Sequence, residues 1–78
     1  MPTVLLINGY RFYFYLNEHD PIHIHVSKSG KEARIVLVPT IDVTYCRGFK
    51  KNELRDIIDI IFDRYDTLID AWRQTFGE

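Results

Sequence analysis

Two histidines two residues apart, His23 and His25, are the side chains of this sequence best suited to chemistry. They alternate with the apolar residues Ile22, Ile24 and Val26, which is the pattern of a half-buried β-strand. Because successive side chains of a strand point to opposite faces, both imidazoles are expected on the face opposite Ile24. The two histidines could therefore act together on one ligand.

Cationic and phenolic side chains are expected on the same face as the histidines. By the same alternation this face carries Arg11, Tyr13, Tyr15 and Arg34. Guanidinium groups bind phosphate through charge-assisted hydrogen bonds, and aromatic rings stack on unpaired bases. If a helix covers only the opposite face, these residues predict a surface for an anion or an RNA backbone.

Several roles are open for the histidine pair. In ribonuclease-type acid and base catalysis, one imidazole would take the 2′ proton and the other would protonate the leaving oxygen. Arg11 or Arg34 would then bind the phosphate. The same face could instead bind an anion or nucleic acid without reaction, or the histidines could only form hydrogen bonds with neighbouring strands or a partner chain.

A metal site is a further alternative. His23 and His25 would need a third donor from the preceding loop, and His19 is the nearest histidine in sequence. A zinc site built on thiolates is excluded, because Cys46 is the only cysteine. The sequence implies no cofactor.

The elements that must position these residues are four predicted β-strands, at residues 3–7, 10–15, 22–27 and 32–38. The Asn-Gly dipeptide at residues 8–9 predicts a two-residue turn between the first two strands. Such a turn places Ile7 opposite Tyr10 and Thr3 opposite Phe14. The four strands are expected to form an antiparallel meander.

The region after the fourth strand predicts a long helix. Within residues 40–49, Ile41, Val43 and Tyr45 alternate only briefly, like a short strand. Apolar residues then recur at helical spacing over residues 51–76, which would make a helix of ~39 Å. This length exceeds the width of a small sheet, so the helix should break near residues 66–67 or project towards a partner. The predicted fold is an α+β domain with the helical region packed on one face of the sheet.

Two aromatic residues near the end of the predicted helix, Trp72 and Phe76, are candidates for an interface. On a projecting helix they would lack a partner within the chain, and a second copy or a cognate protein could cover them. On a bent helix they would instead fold back onto Phe12 and Phe14. The sequence leaves both arrangements open.

Composition indicates one folded domain over residues 1–78, with 46% hydrophobic and 27% charged residues. A chain this short has a small core and no internal disulfide, so homo-oligomerisation is expected. Residues 1–50 carry six Lys or Arg and four Asp or Glu, whereas residues 51–78 carry four and seven. An anion site is therefore expected in the first part. No apolar run could span a membrane, which favours a cytoplasmic protein.

Several short motifs occur together along the chain. Gly-Tyr-Arg-Phe at residues 9–12 is followed by His-Ile-His-Val at residues 23–26, Arg-Gly-Phe at residues 47–49 and Ala-Trp at residues 71–72. Through these motifs almost the whole chain resembles the family called domain of unknown function 4160. The resemblance implies a small prokaryotic protein encoded in a gene pair of toxin and antitoxin type, often beside another small domain. It implies no reaction.

These observations combine into one leading interpretation. The protein would be a component of a toxin–antitoxin-like module that binds a cognate small partner protein, and RNA as a second ligand, through the face of His23 and His25. The alternatives are a ribonuclease or metal-dependent hydrolase that uses the same histidines, and a structural homo-oligomeric interaction module.

The start of the predicted helix departs from the pattern of the family. Members usually have serine at the position of Lys50, where it would form a capping box with Glu53. A lysine side chain cannot accept hydrogen bonds from the first backbone N–H groups. The first turn is therefore expected to fray, or the helix to begin later with Asn52 as its cap.

Overall fold

The computed structural model describes residues 3–17 and 21–77. These residues form five strands and then two helices: β1 (Thr3–Ile7), β2 (Tyr10–Tyr13), β3 (His23–Lys28), β4 (Lys31–Val36), β5 (Asp42–Arg47), α1 (Lys51–Asp63) and α2 (Tyr65–Phe76). The strands lie in one antiparallel sheet in chain order. The predicted α+β class with an antiparallel meander is confirmed, but the predicted count of four strands is wrong.

The additional strand, β5, contains a β-bulge that obscures its pattern in the sequence. Val43 lies opposite Ile35, and Tyr45 lies opposite Arg34, so Thr44 is an extra residue between these two pairs. The bulge puts Val43 and Cys46 on one side of the sheet and Tyr45 on the other, so the facing of the side chains does not follow the Ile41, Val43, Tyr45 alternation of the sequence. The sequence therefore shows only a short strand-like pattern where the structure has six paired or bulged residues.

The hairpin between β1 and β2 has the predicted turn. Asn8 and Gly9 both have positive φ values, 53° and 82°, as a type I′ turn requires. Ile7 pairs with Tyr10, as expected from a two-residue loop.

The far end of the same hairpin differs from the prediction. A register shift in β1 places Thr3 opposite Tyr13, not opposite Phe14. β2 ends at Tyr13, two residues earlier than predicted. Phe14 lies just beyond the strand and is fully buried, with its ring 5.3 Å from that of Trp72. Packing against the helix layer has therefore replaced continued strand pairing at Phe14.

The single helix predicted over residues 51–76 is two helices that meet at Arg64. The bend comes slightly before the predicted break, where Arg64 has φ −112° and ψ 23°. The bend turns α2 back onto the sheet, so Leu68 and Trp72 are buried. Neither helix, in the part of the chain that the structure describes, is long and apolar enough to cross a membrane.

Both helices contribute to one core on one face of the sheet. Ile24 is fully buried there, as the alternation predicts. The most deeply buried side chains of the sheet and the helices include Phe12, Val26, Ile35, Leu37, Ile57, Ile61 and Leu68. Within residues 3–17 and 21–77 the helices pack on this face, which we call the covered face; the opposite one is the uncovered face.

The start of α1 has the half of a capping box that Glu53 supplies. The Lys50 backbone N–H donates to Glu53 Oε1 over 2.9 Å, and the helix begins at Lys51. Glu53 Oε2 also accepts a hydrogen bond of 2.7 Å from Lys31 Nζ at the start of β4. Of the two alternatives, the later start with Asn52 as its cap is wrong, because the helix already begins at Lys51.

Candidate binding surface

Four side chains form a row across the uncovered face. Tyr13 on β2 lies opposite His25 on β3, His25 lies opposite Arg34 on β4, and Arg34 lies opposite Tyr45 on β5. Directly opposed residues of neighbouring strands point to the same side of a sheet. We call Tyr13, His25, Arg34 and Tyr45 the cross-strand row.

One end of this row is an aromatic cluster. The His25 ring stacks on Tyr13 with 5.5 Å between ring centroids, and Tyr15 meets His25 edge-on at 4.7 Å. The Arg11 guanidinium lies 4.5 Å from the centre of the Tyr13 ring. These neighbours bury Tyr13, which is 3% exposed, whereas Tyr15 is 39% exposed and His25 is half-buried.

Burial fixes the protonation state of the central phenol. Burial is the largest cause that raises the pKa of Tyr13, and the hydrogen bond with Tyr15 and the charge of Glu32 act in the same direction while Arg11 opposes them; together they raise the pKa to about 12. Tyr13 is therefore protonated at neutral pH. Its hydroxyl is a hydrogen-bond donor there, not a base.

The other end of the row is cationic and more exposed. Arg34 Nη1 donates a hydrogen bond of 2.8 Å to Thr44 Oγ1, which lies in the bulge of β5. This bond directs the guanidinium along the sheet towards the β5 edge, where Tyr45 is 48% exposed. Arg11 is similarly oriented at the opposite edge, with Nε donating to Thr3 Oγ1 over 2.8 Å.

His23 is placed differently from the prediction. Its ring lies 5.1 Å from that of His25, so the two are neighbours, but His23 is only 2% exposed. Its Nδ1 donates to the Pro21 carbonyl oxygen over 2.7 Å, and Trp72 of α2 lies 5.2 Å from its ring. The expectation of two accessible histidines is therefore wrong for His23, because the bent α2 brings Trp72 to the start of β3.

The metal site of His19, His23 and His25 stays a prediction, because one of its three ligands cannot be placed. His19 lies outside the described residues, so its distance from His23 and His25 is not defined. In residues 3–17 and 21–77, no group of three His, Cys, Asp or Glu side chains is arranged to hold a metal ion.

The two aromatic residues predicted for an interface lie within the chain. Trp72 is 4% exposed and contacts both Phe14 and Phe76, with ring centroids 5.3 and 4.4 Å apart. Phe76 is half-buried and also contacts Phe14 at 5.8 Å. Of the two arrangements that the sequence left open, the folded-back one is present: α2 does not project, and Trp72 is buried within the chain. An interface at Trp72 and Phe76 stays a prediction.

Tyr45 is the member of the cross-strand row that sequence reasoning missed. Simple alternation would place it with Val43 on the covered face. The bulge at Thr44 shifts it by one position, to the side of Arg34. No sequence signal marked that bulge, although the strand-like alternation nearby could have suggested a fifth strand.

A family model for a domain of unknown function, DUF4160, matches residues 9–73. The chain belongs to this family, as the motifs indicated. Neither the curated proteins nor the solved structures contain a match to the chain.

Proposed function

We propose that this protein is a binding component of a toxin–antitoxin-like module and that the uncovered face binds a short stretch of single-stranded RNA. The observation that carries this proposal is the cross-strand row, which combines an exposed phenol, an arginine and a half-buried imidazole on one face of an antiparallel sheet. Sheets that recognise single strands use exposed aromatic rings as platforms for bases.

The geometry of the row suits a short ligand. Neighbouring strands lie ~4.8 Å apart, so the three strand spacings from Tyr13 to Tyr45 amount to ~14 Å. Tyr45 and Tyr15, at opposite ends, offer exposed ring surface for stacking. Arg34 lies between them and could contact a phosphate. The row thus has room for a few nucleotides.

Charge sets the expected strength of binding. Arg47 forms a 3.1 Å ion pair with Glu32, so part of the positive charge on this face is already compensated. Arg11 donates a hydrogen bond through Nε, and Arg34 donates one through Nη1. In both bonds the acceptor is a threonine hydroxyl and not a carboxylate. Two such arginines would give weak binding with a small dependence on salt.

Burial of His23 favours binding over cleavage by two histidines. A general acid or base must come within hydrogen-bond reach of the substrate. With 2% exposure and Trp72 against its ring, His23 is withdrawn from a ligand on the uncovered face. His25 is the histidine of the pair that such a ligand could contact.

The partner in the module is proposed to be the cognate small protein of an adjacent gene. The chain belongs to the DUF4160 family, and the gene pair of toxin and antitoxin type that the resemblance to this family implies supports the proposal of such a partner. The uncovered face also carries Leu6, which is 70% exposed beside Arg11. Exposed apolar groups beside aromatic residues are common in contact surfaces.

RNA binding is tested by fluorescence anisotropy with a labelled oligouridylate of about eight nucleotides, within the range of single-strand sites. Tyr45→Ala should weaken binding by about 5- to 150-fold, since stacking contributes ~1–3 kcal/mol per base. Arg34→Gln should reduce the dependence of binding on salt. Phe62→Ala, which removes an exposed ring on α1, is the matched control and should bind as the wild type does. Equal affinities of the Tyr45 and Phe62 variants would contradict the proposal.

A further inference from the structure

We propose that a groove at the junction of the two helices binds a basic segment of a partner protein through a large apolar side chain of that segment. The groove has a volume of about 560 Å³, and we call it the junction groove. Its lining residues come from the chain after β4 and from the helices on either side of the bend: Leu37, Pro39, Thr40, Ile41, Phe62 and Tyr65.

The junction groove is held open by a specific contact. The Tyr65 hydroxyl donates a hydrogen bond to the Leu37 carbonyl oxygen, which ties the first residue of α2 to the chain that follows β4. Leu37 forms the buried floor, and its own backbone N–H donates to the Ile22 carbonyl oxygen over 2.8 Å. The groove is thus built on groups with fixed positions, as preformed ligand sites usually are.

The lining of the junction groove calls for an apolar occupant. Phe62 is 66% exposed, whereas Ile61, the residue before it in α1, is fully buried. A large apolar side chain that entered the groove would remove this surface from water.

The charges around the junction groove select a basic occupant. Asp59 lies one helical turn before Phe62, and Asp66 follows the lining residue Tyr65. Both aspartates are exposed. The nearby cation Arg64 is already paired with Asp63 through a 3.0 Å ion pair. Acidic residues next to the helical side of an apolar groove complement a segment that carries Lys or Arg beside a large apolar anchor.

The junction groove is separate from the cross-strand row. The row lies on the uncovered face, whereas Phe62 and Tyr65 belong to the helices that pack on the covered face. Occupation of the groove therefore does not depend on RNA binding, and each can be present without the other.

The test uses two labelled peptides of about twelve residues, one alternating Lys with Leu and one alternating Glu with Leu, titrated into the full chain. The Lys peptide should bind at least about ten-fold more tightly, and Phe62→Ala should weaken it by about ten-fold, equivalent to 1.4 kcal/mol. Asp66→Lys should weaken it too and lower its salt dependence. Leu16→Ala, which shortens another exposed apolar side chain (72%), is the control and should have little effect.

Other results would overturn the junction groove as the site. These are equal binding of the two peptides, or equal effects of Phe62→Ala and Leu16→Ala. Circular dichroism checks that each variant is folded. Because Tyr45→Ala should leave peptide binding unchanged and Phe62→Ala should leave oligouridylate binding unchanged, failure of one proposal is distinguishable from failure of the other.

Discussion

The two faces of the sheet use aromatic residues in opposite ways. On the covered face, Phe12 and Phe14 are fully buried beneath the helices. On the uncovered face the rings are phenols, Tyr15 and Tyr45, with about two fifths to half of their surface exposed. A phenol can lie at the surface because its hydroxyl stays hydrated while its ring provides contact area. Substitutions should therefore cost stability on the covered face and ligand binding on the uncovered one.

The difference is clearest within β3, where neighbouring residues have opposite environments. Ile24 is fully buried on the covered face, while His25 is half-buried among Tyr13 and Tyr15 on the other. His23 departs from this contrast, because Trp72 buries it at the end of the strand. The start of β3 is thus part of the core on both sides.

The largest expected effect comes from a charge on the covered face. Ile24→Asp should unfold the domain, because an unpaired buried carboxylate costs several kcal/mol against a total stability of roughly 5 kcal/mol. His25→Ala, one residue further along the strand, is the matched control and should remain folded. The free energy of unfolding of each variant is measured by urea titration, with circular dichroism as the signal. A folded Ile24→Asp variant would show that the two faces do not differ as the structure indicates.

A smaller effect is expected from Trp72→Ala. Removing a buried tryptophan typically costs ~3–5 kcal/mol, so the variant should be close to unfolding at room temperature. Tyr45→Ala, on the uncovered face, should leave the unfolding free energy nearly unchanged. Light scattering on both variants and the wild type reports the oligomeric state at the same time. A change of molecular mass in the Trp72 variant, without loss of thermal stability, would place Trp72 in an interface instead of the core.

The smallest effect is expected at the contact between β4 and α1. The hydrogen bond from Lys31 and the Lys50 backbone N–H lower the pKa of Glu53 in the folded protein. The contact therefore stabilises the fold above the unfolded pKa, about 4.3 for a glutamate, and this contribution is lost as the pH falls through the lower folded value.

Glu53→Gln should accordingly lower the free energy of unfolding at neutral pH, and its difference from wild type should shrink in acid. Urea unfolding at a series of pH values measures this. Asp59→Asn, on the exposed side of α1, serves as the control and should have less effect at neutral pH. A difference between Glu53→Gln and wild type that grows in acid would contradict the assigned direction of the pKa shift.

Much of the fold could be predicted because its signals are local. The positive φ values at Asn8 and Gly9 follow from the residue types in a two-residue turn. The burial of Ile24 follows from alternation, and that of Ile57 and Ile61 follows from helical spacing. Each signal lies within a few residues of the element that it predicts.

The candidate site could be predicted only in part. Alternation placed His25 and Arg34 on the same face, and the observed register pairs them directly. It could not find Tyr45, because a bulge reverses the side of every later residue in the strand, and the sequence carries no mark of it.

The sequence by itself determined the strand alternation, the Asn-Gly turn, the amphipathic helical region and membership of the DUF4160 family. The tertiary structure alone decided that α2 bends back at Arg64, that Trp72 then buries His23, and which side of β5 presents Tyr45. The physical reason is the range of the interactions. Turn and periodicity preferences act between near neighbours, whereas the bend and the burial depend on apolar surfaces that meet only after the chain has folded.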